Sequence, residues 1–537
     1  MNTVKLKRAL ISVADKTDII PLAQALQQSG CEIISTGGTL KVLEEAGVAV
    51  TNISAVTKNP EAFGGRMKTI SFEIESSILF NRDTDAQEAA SLGIKPLDLV
   101  VCNFYPFEKV YKEGASLEDL VENVDIGGPT MIRAAAKNFK HVTALTDPAD
   151  YADVIEELSV HEGATTLALR QRLMRKAFHL TADYDALIAT AFDKEAGIHS
   201  LRLAFSDGKP LRYGENPHQK AFFFKERKNE NSLYDINILN GKELSFNNLL
   251  DVNSAIDCVR ELGRSACAVI KHNVPCGLSE GENQRRVLEL AWQSDPVSAF
   301  GSVIAFNKPV AEETVQFFGF GNEDKSQRKF VEVIIAPSFE LAALDILKKQ
   351  KNLRVIEFDT AAKESPYELK YFKGSLLLQD KDEELFQQLD CPTKKKAHFD
   401  EGLARFGVKA VRQVRSNAIA VVRKVEGETY QLLGMGAGQP NRLTSVALAL
   451  DKCKDNLSAE YQGPAEQQSA YLEKELSETL LLSEAFFPFP DSVDACAKHG
   501  VKAILQPGGS IRDADIIERC DEYDIAMLLT GVRHFKH

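Results

Sequence analysis

Lys271 and His272 stand side by side, after an apolar run at residues 268–270 and before Pro275-Cys276-Gly277. An imidazole can take a proton from a weak nucleophile, and an adjacent ammonium can deliver one, so the pair has the residue types of general acid–base catalysis. Taken alone, the dipeptide fits a solvated lysine and a structural histidine at least as well. Three glycine pairs have a different chemistry. Ser35-Thr36-Gly37-Gly38-Thr39, Asp125-Ile126-Gly127-Gly128-Pro129-Thr130 and Gln506-Pro507-Gly508-Gly509-Ser510-Ile511-Arg512-Asp513 each sit where a strand gives way to a helix. Glycine lets backbone N–H groups approach an anion closely, and a helix N-terminus adds partial positive charge. A fourth pair, Gly64-Gly65, leads into Arg66, Lys68 and Thr69, two cations and a hydroxyl on one loop. Each loop alone reads equally as an ordinary turn.

Other polar groups cluster near these loops. Ser12 and Lys16 follow the first apolar run, and Asn103 and Tyr105 follow residues 97–103. Arg133 and Lys137 are four apart, on one helical face. Residues 212–219 form a dense polar segment beginning Arg212-Tyr213. Ser416-Asn417 precedes Gly434-x-Gly436-Ala437-Gly438-Gln439 and Arg442, whose glycines do not make the G-x-G-x-x-G of a dinucleotide site. Ala485-Phe486-Phe487-Pro488-Phe489 supplies rings that pack a core or stack on a flat heterocycle. Arg533-His534-Phe535 and His537 lie at the C-terminal end.

Positioning these groups takes more than one core. A chain of 537 residues is long enough for two to four compact units. Hydrophobic residues at 44% and charged residues at 26% give a globular mix. The net charge of −13 argues against general nucleic-acid binding but leaves room for small anions in local cationic pockets. No apolar run approaches the roughly 20 residues that span a bilayer, and residues 1–16 read as a first strand rather than a leader. Nine cysteines stand singly, without metal-binding spacing, and read as reduced thiols.

Up to residue 150, short apolar runs (9–13, 32–35, 48–53, 97–103, 141–146) alternate with helical patterns. This rhythm predicts a mostly parallel, doubly wound sheet with helices on both faces. Residues 166–192 read as a helix and 193–210 as an irregular polar stretch, so the domain division is set at 195/196. The remainder, 196–537, reads as a larger α/β unit, with strands expected at 268–270, 301–306, 331–336, 375–379, 418–422 and 503–505. Residues 380–404 read as a surface connection, and no internal repeat is visible.

Together these segments resemble the bifunctional AICAR formyltransferase/IMP cyclohydrolase family (AICAR is the aminoimidazole carboxamide ribonucleotide). The matching residues are Ser12-Val13-x-Asp15-Lys16, the Ser35–Thr39 loop, Gly65-Arg66-x-Lys68-Thr69, Asn103-x-Tyr105-Pro106-Phe107, Asp125-Ile126-Gly127-Gly128 and Ala134-Ala135-Ala136-Lys137-Asn138, followed by the motifs after residue 211. The resemblance covers nearly the whole chain. It implies a methylglyoxal-synthase-like cyclohydrolase domain at 1–195 and a formyltransferase domain of cytidine-deaminase-like subdomains at 196–537. The implied reactions are formyl transfer from 10-formyl-tetrahydrofolate to AICAR, giving FAICAR, and ring closure of FAICAR to IMP. The folate is a cosubstrate, and no catalytic metal is implied.

By the same resemblance Lys271 and His272 are catalytic in formyl transfer, and Lys68, Tyr105, Asp125 and Lys137 in ring closure. Ser12, Lys16, Ser35, Gly38, Thr39, Arg66, Thr69, Asn103 and Gly127 would bind the cyclohydrolase nucleotide. Arg212, Tyr213, Gly301, Asn417, Arg442, Phe486 and Arg533 would bind AICAR, with its phosphate on the arginines. A cytoplasmic homodimer acting on these small molecules, without nucleic acid or membrane, is expected. Where the family has Leu-His-Pro after Lys68-Thr69, this chain has Ile70-Ser71-Phe72. It also has Val274 in an Asn/Ser slot, Val408 in a Trp slot, and Glu484 in an Asp slot.

Overall fold

The computed structural model describes residues 2–59, 62–63, 66–227, 231–362, 364–396 and 400–537. They form two compact units, Met1–Ala204 and Phe205–His537. Residues 196–204, which the sequence reading gives to the second domain, cluster with the first. Arg202 Nη1 fastens them there, donating to Asp193 Oδ2 at 3.0 Å.

The first unit is built on five parallel strands in the order Val50–Asn52, Glu32–Ser35, Arg8–Ile11, Leu99–Val101, Thr143–Leu145. Successive side chains point to opposite faces. Ala9, Ile11, Ile33, Leu99 and Val101 therefore pack under the helices Ile19–Gln28 and Tyr151–Val160. Leu10, Ile34 and Val100 meet Phe72–Leu79 and Gly127–Lys137 on the other side. Burial on both faces explains why these strands read as unbroken apolar runs. The helix expected at 166–192 is Leu167–Glu195, started by Thr166, whose Oγ1 accepts the Leu169 N–H at 3.2 Å. The strand order reverses at Arg8–Ile11, whose two neighbours lead off in opposite directions. That reversal opens a crevice at the strand carboxyl ends.

The second unit contains a sheet of eleven strands. Ser265–Lys271 and Val274–Gly281 form a hairpin, and Ser302–Phe306 lies antiparallel to the former. Val331–Ala336 and Arg354–Glu357 follow in parallel. Asn237–Asn240 closes that edge. The same arrangement then recurs: hairpin Ile419–Glu426 with Thr429–Gly436, Leu480–Ser483 antiparallel to the former, then Ala503–Gln506 and Ala526–Leu529 in parallel. A helix precedes each hairpin (Phe246–Arg260, Glu401–Arg412) and another follows it (Gln284–Gln293, Arg442–Glu460). The second unit thus has an internal repeat, contrary to the sequence reading. The halves share topology and burial pattern rather than residue identity.

One further expectation is corrected. Phe205–Leu211, largely inside the stretch read as irregular, is a strand paired with Ala221–Glu226. Gly208 and Pro210 mask it in sequence; a register shift between Ser206 and Lys209 takes up Gly208, and Pro210 pairs with Phe222. The 380–404 connection is stitched to the last strand region, since Lys394 N–H donates to Asp521 Oδ1 (2.7 Å) and Asp390 bridges to Leu529.

Equivalent glycines seat the following helix in each half: a Cβ on Gly277 would overlap the carbonyl oxygen of Ala291, and one on Gly436 that of Ser445. Gly436→Ala is expected to cost about 2 kcal/mol or more. Gly427→Ala, left-handed at φ 52° but with nothing within 4 Å, should cost only about 1 kcal/mol. Thermal unfolding of the two variants checks the difference.

Candidate active sites

In the first unit the loop after Arg8–Ile11 is clamped by the Asn103 side chain. Its Oδ1 accepts the N–H groups of Ala14 (2.6 Å) and Asp15 (2.9 Å), and its Nδ2 donates to Asp15 O at 2.9 Å. Ser35 and Thr39 are buried and donate to Ile11 O (2.7 Å) and Val13 O (3.0 Å). These three residues, expected to bind nucleotide, hold the loops that would do so. The lysines lie closer to the anion site. A Cβ on Gly37 would stand 2.5 Å from Lys68 Nζ, and one on Gly38 would stand 3.8 Å from Lys16 Nζ. Two ammonium groups therefore flank the first turn of the helix Gly37–Glu45.

The second helix start converges on the same place. A Cβ on Gly127 would meet Thr69 Oγ1 at 2.6 Å, so Lys68-Thr69 spans the N-termini of Gly37–Glu45 and Gly127–Lys137. Asp125 ties this corner together. Its Oδ1 accepts the Gly128 N–H at 2.8 Å, and the carboxylate also receives the N–H groups of Tyr105 and Gly127. Burial holds the Asp125 carboxyl above its usual range, and those three N–H groups oppose the shift. Its own N–H donates to Tyr184 Oη at 2.8 Å. Tyr105 is exposed, and Arg66, also exposed, pairs with Glu122.

Lys137 is exposed in the last turn of the helix that Gly127 begins. Gly64 and Gly65 lie outside the described residues. The departure at 70–77 is an ordinary helix, Phe72–Leu79, capped by Ser71, whose side chain accepts the Ile74 N–H.

In the second unit, register brings distant segments to one sheet edge. Lys271 ends its strand opposite the start of Ser302–Phe306, and Ile419 pairs with Gly436 and Ser483. The loops carrying Lys271, His272, Gly301, Asn417, Arg442, Phe486 and Arg533 all leave this edge. Lys271 Nζ donates to Phe300 O (3.1 Å) and Gly301 O (2.9 Å), which fixes the ammonium. His272 and Asn273, at φ 53° and 62°, form the two-residue turn of the hairpin. His272 is exposed.

Arg442, expected to meet phosphate, is 7% exposed and engaged on both Nη atoms. It donates to Ser483 Oγ (2.8 Å), Asn417 Oδ1 (2.7 Å) and both oxygens of the fully buried Glu484. Its work here is to join the 416–417 and 483–484 segments, and Asn417 Nδ2 adds a bond to Gln439 O at 2.8 Å. Phe486 and Arg533 are exposed, and Arg533 lies over the Phe535 ring at 4.4 Å. His534, buried, donates its N–H to Glu484 O (2.9 Å) and pairs with Asp382 at 2.8 Å. Arg212 stacks on Tyr213 with its guanidinium 4.6 Å from the ring centre. Asn247 Nδ2 donates to Glu215 O at 3.3 Å, which sets that loop beside the start of Phe246–Arg260.

Sequence reasoning missed Asp251. Its Oδ1 accepts the Asn273 N–H at 2.7 Å, and Ser254 Oγ donates to Asn273 Oδ1 at 3.2 Å. The polar spacing of 247, 251 and 254 on a helix is the signal that could have found it. Among the described residues no group of three or more His, Cys, Asp or Glu side chains is placed to hold a metal ion, and no helix is long and apolar enough to cross a membrane.

Comparison with known proteins bears on the whole chain. The family model described as AICARFT/IMPCHase bienzyme matches residues 135–452, and that of the MGS-like domain matches residues 18–130. The bifunctional purine biosynthesis protein PurH of Aquifex aeolicus is 42% identical over 538 residues, covering 99% of this chain and 100% of that protein. Those of Listeria innocua and Persephonella marina are 43% and 40% identical, with the same coverage. A family model over more than half of the chain, and relatives matched from end to end, place this chain in the AICARFT/IMPCHase bienzyme family.

Proposed function

We propose that the two reactions are divided between the two units, formyl transfer at the second-unit edge and ring closure at the first-unit crevice. The chain is a bifunctional enzyme of de novo purine biosynthesis. It transfers a formyl group from 10-formyl-tetrahydrofolate to AICAR and closes FAICAR to IMP. The observation that carries the division is the convergence of Lys271 and His272 with the loops bearing Asn417, Arg442 and Phe486 on one edge.

In formyl transfer the 5-amino nitrogen of AICAR attacks the formyl carbon. That nitrogen is conjugated with the ring and nucleophilic only as its proton leaves, so His272 takes the proton. The new C–N bond forms, the bond to the folate nitrogen breaks, and Lys271 assists proton delivery to that leaving nitrogen. The Phe300 and Gly301 carbonyls hold the ammonium in one place for this step. Phosphate falls to the exposed Arg212 and Arg533, and Phe486 offers a ring to the heterocycle.

In ring closure the carboxamide nitrogen of FAICAR attacks the formyl carbon and water leaves. Lys68, with the helix starts at Gly37 and Gly127, stabilises the developing oxyanion, and Lys16 supports the nucleotide phosphate. Tyr105 and Asp125, joined by the bond from the Tyr105 N–H to the Asp125 carboxylate, carry the proton, and Lys137 completes the set around the closing ring.

The chain acts as a homodimer in the cytoplasm. The hairpin Tyr367–Phe372 with Ser375–Asp380 exposes Leu369, Tyr371, Leu376 and Leu378 on one face, an apolar patch of the kind a partner covers. All nine cysteines are free, which suits a reducing compartment.

Lys271→Ala and His272→Ala should each lower formyl transfer by about 10²-fold or more while cyclisation of supplied FAICAR continues; separate assays of tetrahydrofolate and IMP decide this. Equal loss of both activities would count against separate sites. Lys68→Ala should do the converse, and Lys137→Ala should likewise lower cyclisation while sparing formyl transfer. Light scattering should give a dimer mass, and a fully active monomer would refute the assembly.

A further inference from the structure

We propose that Asp251 is the positioning residue of formyl transfer: it fastens the Lys271–His272 turn from below and sets a negative charge against the imidazolium formed when His272 takes the substrate's proton. The inference rests on the reading of His272 as that base.

The turn needs holding. His272 and Asn273 both have positive φ, 53° and 62°. Asparagine tolerates the left-handed region, but histidine stays there only where its surroundings keep it. The restraint comes from one helix. Asp251 Oδ1 accepts the Asn273 N–H at 2.7 Å, and Ser254 Oγ donates to Asn273 Oδ1 at 3.2 Å. Asn247, four residues before Asp251, donates to Glu215 O at 3.3 Å and so holds the loop that carries Arg212 and Tyr213. Positions 247, 251 and 254 share a helical face. A single rigid surface therefore spaces the catalytic turn from the substrate-binding loop.

That helix is itself pinned. Its start is a capping box in which Ser245 Oγ accepts the Asn248 N–H and Asn248 Oδ1 accepts the Ser245 N–H, both at 3.2 Å. Asn248 Nδ2 reaches Glu332 Oε2 at 3.0 Å, tying it to the strand Val331–Ala336.

The same placement sets the charge. Burial raises the Asp251 carboxyl above its usual range, while the Asn273 N–H and attraction to the Lys271–His272 turn oppose that rise and Glu332 adds to it. A half-buried carboxylate is poorly screened, so its charge acts on the cation that forms at the turn during transfer. The proton leaves the 5-amino nitrogen for His272 as the C–N bond forms, and this carboxylate stabilises that state.

The test uses the full-length protein, with cyclisation of supplied FAICAR as the control for folding. Asp251→Asn keeps an acceptor oxygen and removes the charge. It should lower kcat for formyl transfer about tenfold or more, with KM for AICAR within about twofold and cyclisation unchanged. Asp251→Ala should fall further, and adding Asn273→Gly, which relaxes the turn, should restore activity only to the Asp251→Asn level. With His272→Ala inactive, a wild-type kcat in Asp251→Asn overturns the proposal, as does full rescue of Asp251→Ala by Asn273→Gly. Full activity in His272→Ala would instead remove the reading of His272 as the base, and the proposal with it.

Discussion

Two register pairs, Ser279 with Gln431 and Glu280 with Tyr430, join the halves of the second unit into one sheet, and the edge that carries Lys271 and Asn417 depends on them. Lys271 and His272 belong to the first half; Asn417, Arg442, Glu484 and Phe486 belong to the second. The join is short, and buried polar bonds reinforce it. Ser279 Oγ donates to Tyr430 O at 2.8 Å, and Gln431 Nε2 reaches across to Leu290 O at 2.8 Å. Arg423 Nε in turn donates to Gln431 Oε1 at 2.9 Å. Polar groups this deep are stable only when paired, so the network admits one register and rejects a slip. That constraint lets residues of the two halves, far apart in sequence, share an edge.

The same economy governs the side chains at that edge. Most polar residues that resemble ligands are occupied in holding others. Arg442 is engaged by Glu484, Ser483 and Asn417, and His534 by Asp382 and the Glu484 backbone. In the first unit, Asn103, Ser35 and Thr39 serve the loops around Lys16 in the same way. What remains exposed includes His272, Phe486, Arg212 and Arg533 in one unit and Lys16, Arg66, Tyr105 and Lys137 in the other. Precise placement of few groups by many is what a reaction dependent on proton position requires.

The first unit reaches its chemistry by a different route. Its strands are three or four residues long, most with apolar centres, and Ser35 stands at a carboxyl end. Reactivity resides in the loops at their carboxyl ends: two glycine-led helix starts, a pair of lysines and one buried carboxylate. Backbone N–H groups and ammonium charge act together at the crevice, which suits an anionic substrate in a chain of net charge −13.

Much of this was legible in the sequence. Apolar runs marked the strands of the first unit because burial on both faces leaves no polar position to obscure them. The glycine pairs marked helix starts because only glycine admits the close approach found at Gly37 and Gly127. The helix read at 166–192 is Leu167–Glu195. The repeat in the second unit stayed hidden, since topology and burial can recur without identity. The strand Phe205–Leu211 stayed hidden because Gly208 sits in its bulge and Pro210 follows. Sequence by itself therefore determined the class of fold, the kinds of chemistry and the Lys271-His272 pair. Which polar atoms are already engaged was decided only in three dimensions, where the Glu484 pair occupies Arg442, Asn103 clamps the Lys16 loop, and the helix beneath the hairpin brings Asp251 to the Lys271–His272 turn. The reason is physical: local pattern reports what a residue can do, whereas its neighbours across the fold decide whether its polar atoms are already taken.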